Sequence, residues 1–192
     1  MFTFWANPEM TTEVTSPYPI VYNGTGSVDI VMYYGSNDAD EILTSGTSEP
    51  ITLMPINKLE KWESARYYKV GDIIEPVIAN GQMYKCTIPG TSGNTEPEWQ
   101  TKPAAVISSG TAQFISYGAK FVCSDVKMAL SRSGLDTADA GGSISLGQSM
   151  RGGAPIAIYI RITNRFNDLR SDTTDPCISI GTNKVILTKR PI

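Results

Sequence analysis

The side chains that could carry chemistry in this chain are carboxylates, thiols and aromatic rings, because its 192 residues include no histidine. Histidine is the usual general base, the usual partner of a nucleophilic serine or cysteine, and the commonest transition-metal ligand. Asp136 and Asp139 could pair as acid and base, but no pattern in the sequence brings them to a pocket. We therefore expect a protein that is not an enzyme and has no catalytic residues.

Two acidic stretches offer oxygen ligands for Ca²⁺, one in 37–41 and one formed by Asp168, Asp172 and Asp175. Neither has the alternating D-x-D-x-D-G spacing and the terminal glutamate of a dedicated calcium loop. The two Gly-Gly pairs are not followed by Lys-Ser/Thr or by a helix, so they do not predict a phosphate-binding loop. The sequence predicts neither a metal site nor a cofactor.

The three cysteines, Cys86, Cys123 and Cys177, are widely spaced and include no C-x-x-C pair. An odd number leaves at least one thiol unpaired within the chain, and we interpret all three as buried reduced thiols. A bridge between Cys86 and Cys123 stays open, since sequence alone does not decide pairing.

Composition narrows the class of partner. With a net charge of −3 and 16 thinly spread basic residues, the chain has no surface that would follow phosphates, so we expect no nucleic-acid partner. Apolar stretches such as 154–160 are too short to cross a bilayer. The first residues lack a basic region followed by an apolar one, so we expect neither a membrane association nor a signal peptide.

Alternating apolar residues predict short β-strands through most of the chain. The two clearest runs each place four apolar side chains on one face: Val28, Ile30, Met32 and Tyr34, then Ile156, Ile158, Ile160 and Ile162. The tail reads as strands in 177–180 and 185–188 joined by a hairpin turn at 181–184. No window has a sustained helical period, and roughly seven strands separated by turns predict an all-β fold with an immunoglobulin-like sandwich.

A central segment, 62–99, has a different character. Gly71 and Asp72 predict a tight turn, in which the glycine supplies a permissive backbone and the aspartate caps it by side-chain hydrogen bonds. Asn80-Gly81 predicts a hairpin, and the polar loop that follows brings Trp99 back against it. A unit this small has little core, so we expect large aromatic residues such as Trp62 and Tyr84 to fill it.

These patterns divide the chain into a split domain and an insertion. We assign 1–60 plus 119–192 to the immunoglobulin-like β sandwich and 61–118 to a small three-stranded β module inserted in it. Insertion at the tip of a surface loop is structurally tolerated.

Two resemblances follow from the central segment. The pattern W…Y-x-x-G-D-x-[VI]…N-G-x-x-Y-x-C…P-x-W resembles the short three-stranded modules of the chitin- and cellulose-binding class appended to bacterial glycoside hydrolases. The longer pattern that includes G-T-S-G-x-x-E-P-x-W is similar to one that recurs in virion proteins of tailed bacteriophages. Both cover residues 61 to about 103, and the strand-rich frame around them resembles immunoglobulin-like proteins of phage tails, necks and head decorations.

The carbohydrate modules bind sugars with exposed aromatics, typically an adjacent pair after the tyrosine of the second strand. Here that position reads Cys-Thr-Ile-Pro from Cys86 onward, without an aromatic. The resemblance leaves Tyr67, Tyr68 and Trp99 as the residues that could contact a glycan, with Tyr67 the best because it should point away from Tyr68. It makes Trp62, Gly71, Asp72 and Tyr84 the core of the module.

The resemblances imply a non-enzymatic phage virion structural protein, made in the cytoplasm of the host bacterium. It would assemble through its β sandwich into a homo-oligomeric neck (collar) or tail ring, with portal, adaptor, tail or capsid proteins as partners. Arg161, Arg165 and Arg170 could serve a subunit interface, although ordinary surface charge explains them as well.

Three alternatives stay open. The chain could be a glycan-binding adhesion module that recognises host surface polysaccharide, or a capsid decoration protein. A carboxylate-dependent glycoside hydrolase is the third, since such modules accompany these enzymes, but the chain has no room for a catalytic domain beyond the sandwich.

Overall fold

The structure is a computed structural model that describes residues 1–15, 18–20, 25–165 and 178–189. It is nearly all β, with 49% of residues in strands and 4% in helices, which confirms the predicted fold class. It divides into two compact units, one formed by Met1–Asn57 with the described part of 122–192, and the other by Lys58–Phe121. The predicted module, 61–118, ends three residues inside the second unit on each side.

The strands, in chain order, are β1 (Thr3–Trp5), β2 (Gly26–Gly35), β3 (Glu41–Ser45), β4 (Ile51–Asn57), β5 (Glu60–Lys61), β6 (Tyr67–Tyr68), β7 (Ile73–Glu75), β8 (Gln82–Ile88), β9 (Gly90–Thr91), β10 (Val106–Ser109), β11 (Ala112–Ala119), β12 (Val126–Ala129), β13 (Ile144–Gly147), β14 (Ser149–Arg151), β15 (Ile156–Asn164), β16 (Ile178–Thr182) and β17 (Val185–Lys189). A 3₁₀ turn covers Cys123–Asp125, and the short helix α1 covers Gly134–Thr137. Below, the first unit is called the sandwich and the second the module.

The first layer of the sandwich is an antiparallel sheet with the order β1-β2-β15-β12. β15 lies beside β2 along its whole length, from the Ile156–Tyr34 pair to the Asn164–Gly26 pair. Because side chains alternate across a strand, the inward positions of both strands are the apolar residues that the sequence placed on one face.

The second layer is built on β3 and β4. β4 lies between β13 and β16, and β3 lies between β14 and β17, in antiparallel register throughout. The two halves continue into each other, since 144–151 and 178–189 both run antiparallel along 41–57. The layer therefore consists of three long, bent strands, formed by β13 with β14, β3 with β4, and β16 with β17.

The predicted hairpin at the tail is wrong. β16 and β17 do not pair with each other but are the two halves of one edge path, because the side chain of Asn183 fixes the bend between them. Its Oδ1 accepts from the Thr52 backbone N–H at 3.0 Å, and its Nδ2 donates to the Pro50 carbonyl at 2.8 Å. Cys177, at the predicted start of this pair, lies outside the described residues.

The sandwich core is shared by both layers. Its buried apolar residues are Met32, Tyr34, Leu43, Ile51, Leu53, Val126, Met128, Leu146, Met150, Ile158 and Ile160. If β3 with β4, β13 with β14, and β16 with β17 are each counted as one bent strand, the sandwich has seven strands among the described residues. In chain order, the first layer contains the first, second, sixth and fourth of them, and the second layer contains the fifth, third and seventh. Immunoglobulin constant domains group their first, second, fifth and fourth strands, so the two share the sandwich architecture and differ in strand order.

The module has more strands than the three predicted for it. Its main sheet has the order β10-β11-β8-β7-β5, and β6 and β9 form a separate two-stranded ribbon. β10 and β11 form a hairpin that adds two strands beside β8, while β5 pairs in parallel with β7. Its buried core residues are Trp62, Tyr68, Ile74, Tyr84, Cys86, Ile107, Ala112 and Phe114.

Candidate functional site

The candidate site is the set of signature residues in the module, beginning with the turn at 69–72. The Asp72 N–H donates to the Lys69 carbonyl at 3.1 Å, and the Asp72 carboxylate accepts from the Lys69 N–H at 2.8 Å. Gly71 has φ of +96°, which suits the third position of a type II turn. The turn attaches to β8 through the Gly71 N–H and the Cys86 carbonyl, 2.9 Å apart. Gly71 and Asp72 thus fix the backbone of the turn and its attachment to β8.

Tyr67 and Tyr68 point to opposite sides of β6. Tyr68 is 0% exposed, packs edge-to-face on Phe114 with ring centroids 5.2 Å apart, and accepts the Glu63 N–H at its hydroxyl, 2.8 Å away. Burial raises the pKa of Tyr68 above its usual value. Tyr67 is 60% exposed. Tyr68 is therefore a core residue. The prediction that it contacts a glycan is wrong, because its side chain has no exposed surface.

Trp99 belongs to an aromatic stack on the edge of the module core. It is half-buried, with its ring centroid 4.4 Å from that of Tyr84 and 5.7 Å from that of Phe114. Its Nε1 donates to Glu96 Oε1 at 2.9 Å, and the same oxygen accepts the Val77 N–H at 2.8 Å. Through these two hydrogen bonds to Glu96, the E-P-x-W segment links the loop after β9 to the segment after β7.

Tyr84 anchors the hairpin at Asn80-Gly81. Its buried hydroxyl accepts from Asn80 Nδ2 at 2.8 Å, while Asn80 Oδ1 accepts from the Gln82 N–H at 3.1 Å. Burial also raises the pKa of Tyr84. Gly81 has φ of +80°, a conformation that glycine adopts without the steric cost of a side chain. The N-G-x-x-Y pattern is one hydrogen-bonded unit.

The G-T-S-G segment, 90–93, fastens two loops together. A Cβ on Gly90 would lie 2.6 Å from the Thr111 carbonyl carbon, so the chains can approach only because the side chain is missing. The Ser92 hydroxyl accepts the Arg66 N–H at 3.0 Å and donates to the Glu63 carbonyl at 2.7 Å.

Trp62 completes this network from the other side of the module core. Trp62 Nε1 and the Gly93 N–H both donate to Ser109 Oγ, at 3.2 and 3.3 Å. Trp62 and Tyr84, placed in the core by the sequence, lie there with 6% and 0% exposure.

An ion pair in the module core was not predicted from the sequence. Lys120 Nζ contacts the Glu75 carboxylate, and both side chains are 1% exposed. The backbones of both residues are hydrogen-bonded as well, since the Trp62 N–H donates to the Glu75 carbonyl at 2.8 Å and the Lys120 N–H donates to the Gly81 carbonyl at 3.2 Å. The sequence shows each charged residue beside apolar residues, Glu75 after Ile73-Ile74 and Lys120 before Phe121, but it does not show that the two form a pair.

Asp136, one of the two residues considered as an acid–base pair, is bound by an arginine of the sandwich. Arg161 Nη1 donates to Asp136 at 2.8 Å, and its Nη2 donates to Asp29 at 2.8 Å. The hydrogen bond from Arg161 lowers the pKa of Asp29. Arg165 Nη2 donates to Asp125 at 2.9 Å. Arg161 and Arg165 thus hold carboxylates of their own unit, and Arg170 lies outside the described residues.

The acidic stretch at 37–41 does not form a calcium loop. Asp38 accepts from Lys189 at 2.8 Å, whereas Glu41 accepts from the Ser36 hydroxyl at 2.7 Å. Within the described residues, no three His, Cys, Asp or Glu side chains come together as metal ligands. Asp168, Asp172 and Asp175 lie outside that part of the chain.

The cysteines do not form the bridge that the sequence left open. Cys86 and Cys123 are free thiols, and Cys86 is buried in the module core, where burial raises the pKa of its thiol. Among the helices that the structure describes, none is long and apolar enough to span a bilayer.

The signature side chains therefore act on one another and on the backbone around them. Apart from Tyr67, every residue predicted as a glycan contact or a module core residue takes part in a turn, a clasp or the aromatic core. In comparisons with known proteins, no family model, no curated protein and no solved structure matches the chain.

Proposed function

We propose that this chain is a non-enzymatic structural protein of a tailed-bacteriophage particle, made in the host cytoplasm and assembled through its sandwich into a neck (collar) or tail ring. The main support for the proposal is that the signature residues of the module contact one another and the surrounding backbone. Residues that could have formed a sugar platform instead hold a small fold together, as in Tyr68 and the Trp99–Glu96 clasp. A module built this way supplies shape and rigidity, which suits assembly.

The edge of the second sandwich layer supports assembly. Within the described residues, β17 pairs on one side with β3. Its neighbouring residues Ile186 and Leu187 point to opposite faces of the strand, and both are nearly half exposed. An apolar edge strand with unpaired backbone groups is a template for pairing with another chain, which proteins that stay monomeric usually block with charge or proline.

Mass spectrometry of purified particles tests the proposal. We expect the chain among the particle proteins, at a copy number that matches a symmetric ring, together with portal, adaptor, tail or capsid neighbours. A copy number in the hundreds would favour capsid decoration over a ring. Absence from particles, with abundant protein in the infected lysate, would contradict a structural role altogether.

Glycan binding is a second candidate because Tyr67 presents a largely exposed ring. One aromatic ring is a weak platform, since neighbouring Tyr68 is in the core. Pull-down of the full chain on host surface polysaccharide, with Tyr67→Ala as the matched variant, distinguishes the candidates. Binding by the wild type that the variant loses would support adhesion, and no binding by the wild type would end it.

A further inference from the structure

The module presents one aliphatic side chain almost completely to solvent. Ile78, between β7 and β8, is 85% exposed, which makes it the most exposed large apolar side chain of the described residues. Exposed single apolar residues are common on protein surfaces. What distinguishes Ile78 is that the backbone around it is held in place.

The residues that flank Ile78 are fixed by hydrogen bonds from other parts of the module. The Val77 N–H donates to Glu96 at 2.8 Å, and the Val77 carbonyl accepts from Lys61 Nζ at 2.9 Å. On the other side, the Asn80 side chain donates to the buried Tyr84 hydroxyl at 2.8 Å. A side chain presented on a braced loop loses little conformational freedom when it is buried by a partner, which favours binding.

The sandwich carries a cleft that suits such a side chain. It opens between β1 and β16, the edge strands of the two layers, and has a volume of about 240 Å³. No charged residue lines it; its lining residues are Phe2, Thr3, Phe4, Tyr34, Leu53, Ile180, Gly181 and Thr182. Rings cover one side, with the centroids of Phe4 and Tyr34 5.1 Å apart. Five of the eight lining residues are apolar or aromatic, so an aliphatic side chain finds apolar surface to pack on there, beside the hydroxyl groups of Thr3 and Thr182.

The charge beside the cleft and the charge beside Ile78 are opposite in sign. At the cleft, the Glu13 carboxylate accepts from the hydroxyl of the lining residue Thr3 at 3.1 Å. Beside Ile78, the Lys61 ammonium lies on the Val77 carbonyl. An insertion of Ile78 into the cleft of another molecule would bring a cation and an anion to the same rim, and such pairs favour the correct partner and orientation.

We propose that Ile78 of one copy of this chain inserts into the Phe2–Phe4–Tyr34 cleft of the next copy. The contact joins two different surfaces, so it is heterologous, and repeated copies form a ring if the rotation closes. The inference deepens the proposed assembly role and rests on it, because it names the surfaces through which copies of the chain meet.

Sedimentation velocity of the full chain over a range of concentrations tests the contact. We expect the wild type to associate as its concentration rises. The Ile78→Asp variant should have a dissociation constant at least tenfold larger, as for the loss of a central interface residue. Val106→Asp is the matched control, since Val106 is 63% exposed on the same module and lies in β10, outside the Val77–Asn80 loop. It should change the constant by less than about twofold.

Thr182→Lys in the cleft should restore association of Ile78→Asp, because it supplies the opposite charge.

Two outcomes would overturn the inference. One is a wild type that stays monomeric at every concentration, and the other is an Ile78→Asp variant that associates like the wild type while its circular dichroism is unchanged. The second outcome leaves the structural role standing through other surfaces, whereas absence of the chain from particles removes that role whatever Ile78 does.

A covalent test does not depend on affinity. Ile78→Cys and Thr182→Cys are prepared as separate full-length variants, each also carrying Cys123→Ser and Cys177→Ser, and are mixed and treated with a mild oxidant. We expect a disulfide-linked dimer that contains one copy of each variant, in higher yield than the dimer that either variant forms when it is oxidised alone. Equal dimer yields from the mixture and from the single variants would overturn the contact.

Discussion

The sandwich and the module are both β structures, but they are stabilised in different ways. The sandwich core is mainly aliphatic and methionine-rich, contributed by inward positions of long strands in two layers. The module core is mainly aromatic, with a buried Lys120–Glu75 pair and hydrogen bonds from side chains to loops. Long strands can bury enough area with exchangeable aliphatic residues, whereas a small unit needs particular shapes and particular hydrogen bonds.

This difference explains why the module carries the recognisable pattern of the chain. Gly90, Glu96 and Trp99 each occupy a position that few other residues could fill, so their order along the chain forms a signature. The signature describes how a small fold is held together. The side chains that are exposed for contact with other molecules, such as Tyr67 and Ile78, are not among the residues that define it.

The largest expected effect comes from breaking the buried ion pair of the module. Lys120→Met removes the ammonium that contacts the buried Glu75 carboxylate and should destabilise the module by about 3–5 kcal/mol, because a buried charge loses its counter-charge. Segment-resolved hydrogen exchange of the full chain should show lost protection in 58–121 and unchanged protection in the sandwich. Lys120→Met with Glu75→Leu should recover most of the loss, and equal losses in the single and double variants would contradict this account.

A matched control separates burial from charge. Arg66→Met breaks an exposed pair with Glu60 in the same module. Exposed pairs contribute little, so the expected loss is less than about 1 kcal/mol.

The next effect tests the sandwich by itself. Leu53→Ala removes a fully buried side chain from the aliphatic core and should cost about 2–5 kcal/mol, depending on how far the core collapses around the cavity. Hydrogen exchange should change in the paired strands around β4 and not in the module. Equal loss of protection in both units would mean that they unfold together and would break the comparison.

A smaller effect tests the close approach in the G-T-S-G segment. Gly90→Ala would force its new methyl group against Thr111 and should destabilise the module by about 1–3 kcal/mol, as overpacking does. Gly71→Ala is the control, because nothing lies within 4 Å of the added Cβ and the cost is limited to its backbone conformation, about 1–2 kcal/mol. Thermal unfolding followed by tryptophan fluorescence measures both. A Gly90→Ala variant as stable as the wild type would show that the loops can separate without cost.

The smallest effect is the acid sensitivity of the Asp29–Arg161 pair on the sandwich. The hydrogen bond from Arg161 lowers the pKa of Asp29 in the folded state. The stabilisation is therefore present above the unfolded value, about 3.9, and is lost as the pH falls through the lower folded value. Asp29→Asn should make the stability of the sandwich less dependent on pH below about pH 4, by less than about 1 kcal/mol. An unchanged pH profile would mean that the pair contributes nothing measurable.

Much of the sandwich could be predicted because alternation along one strand is a local signal. The faces of β2 and β15 follow directly from their apolar residues at every second position. The tail hairpin was wrong because pairing depends on distant residues. Asn183 reads as a turn residue, and only its bonds to Thr52 and Pro50 make it the bend of a long edge path.

In the module, local sequence patterns predict the turns more reliably than the number and pairing of the strands. The turn at Gly71-Asp72 and the hairpin at Asn80-Gly81 have local chemistry that predicts them. The pairing of β11 with β8 and the Lys120–Glu75 pair join residues far apart in the chain, and no local pattern specifies such partners.

Density for an intact phage particle tests the central claim most directly. We expect this chain in symmetric repeats at the neck or tail, with Tyr68, Tyr84 and Trp99 packed within the module and copies in contact through surfaces that include the sandwich. A particle that lacks the chain, or one in which the aromatic residues of the module face outward onto a bound sugar, would contradict it.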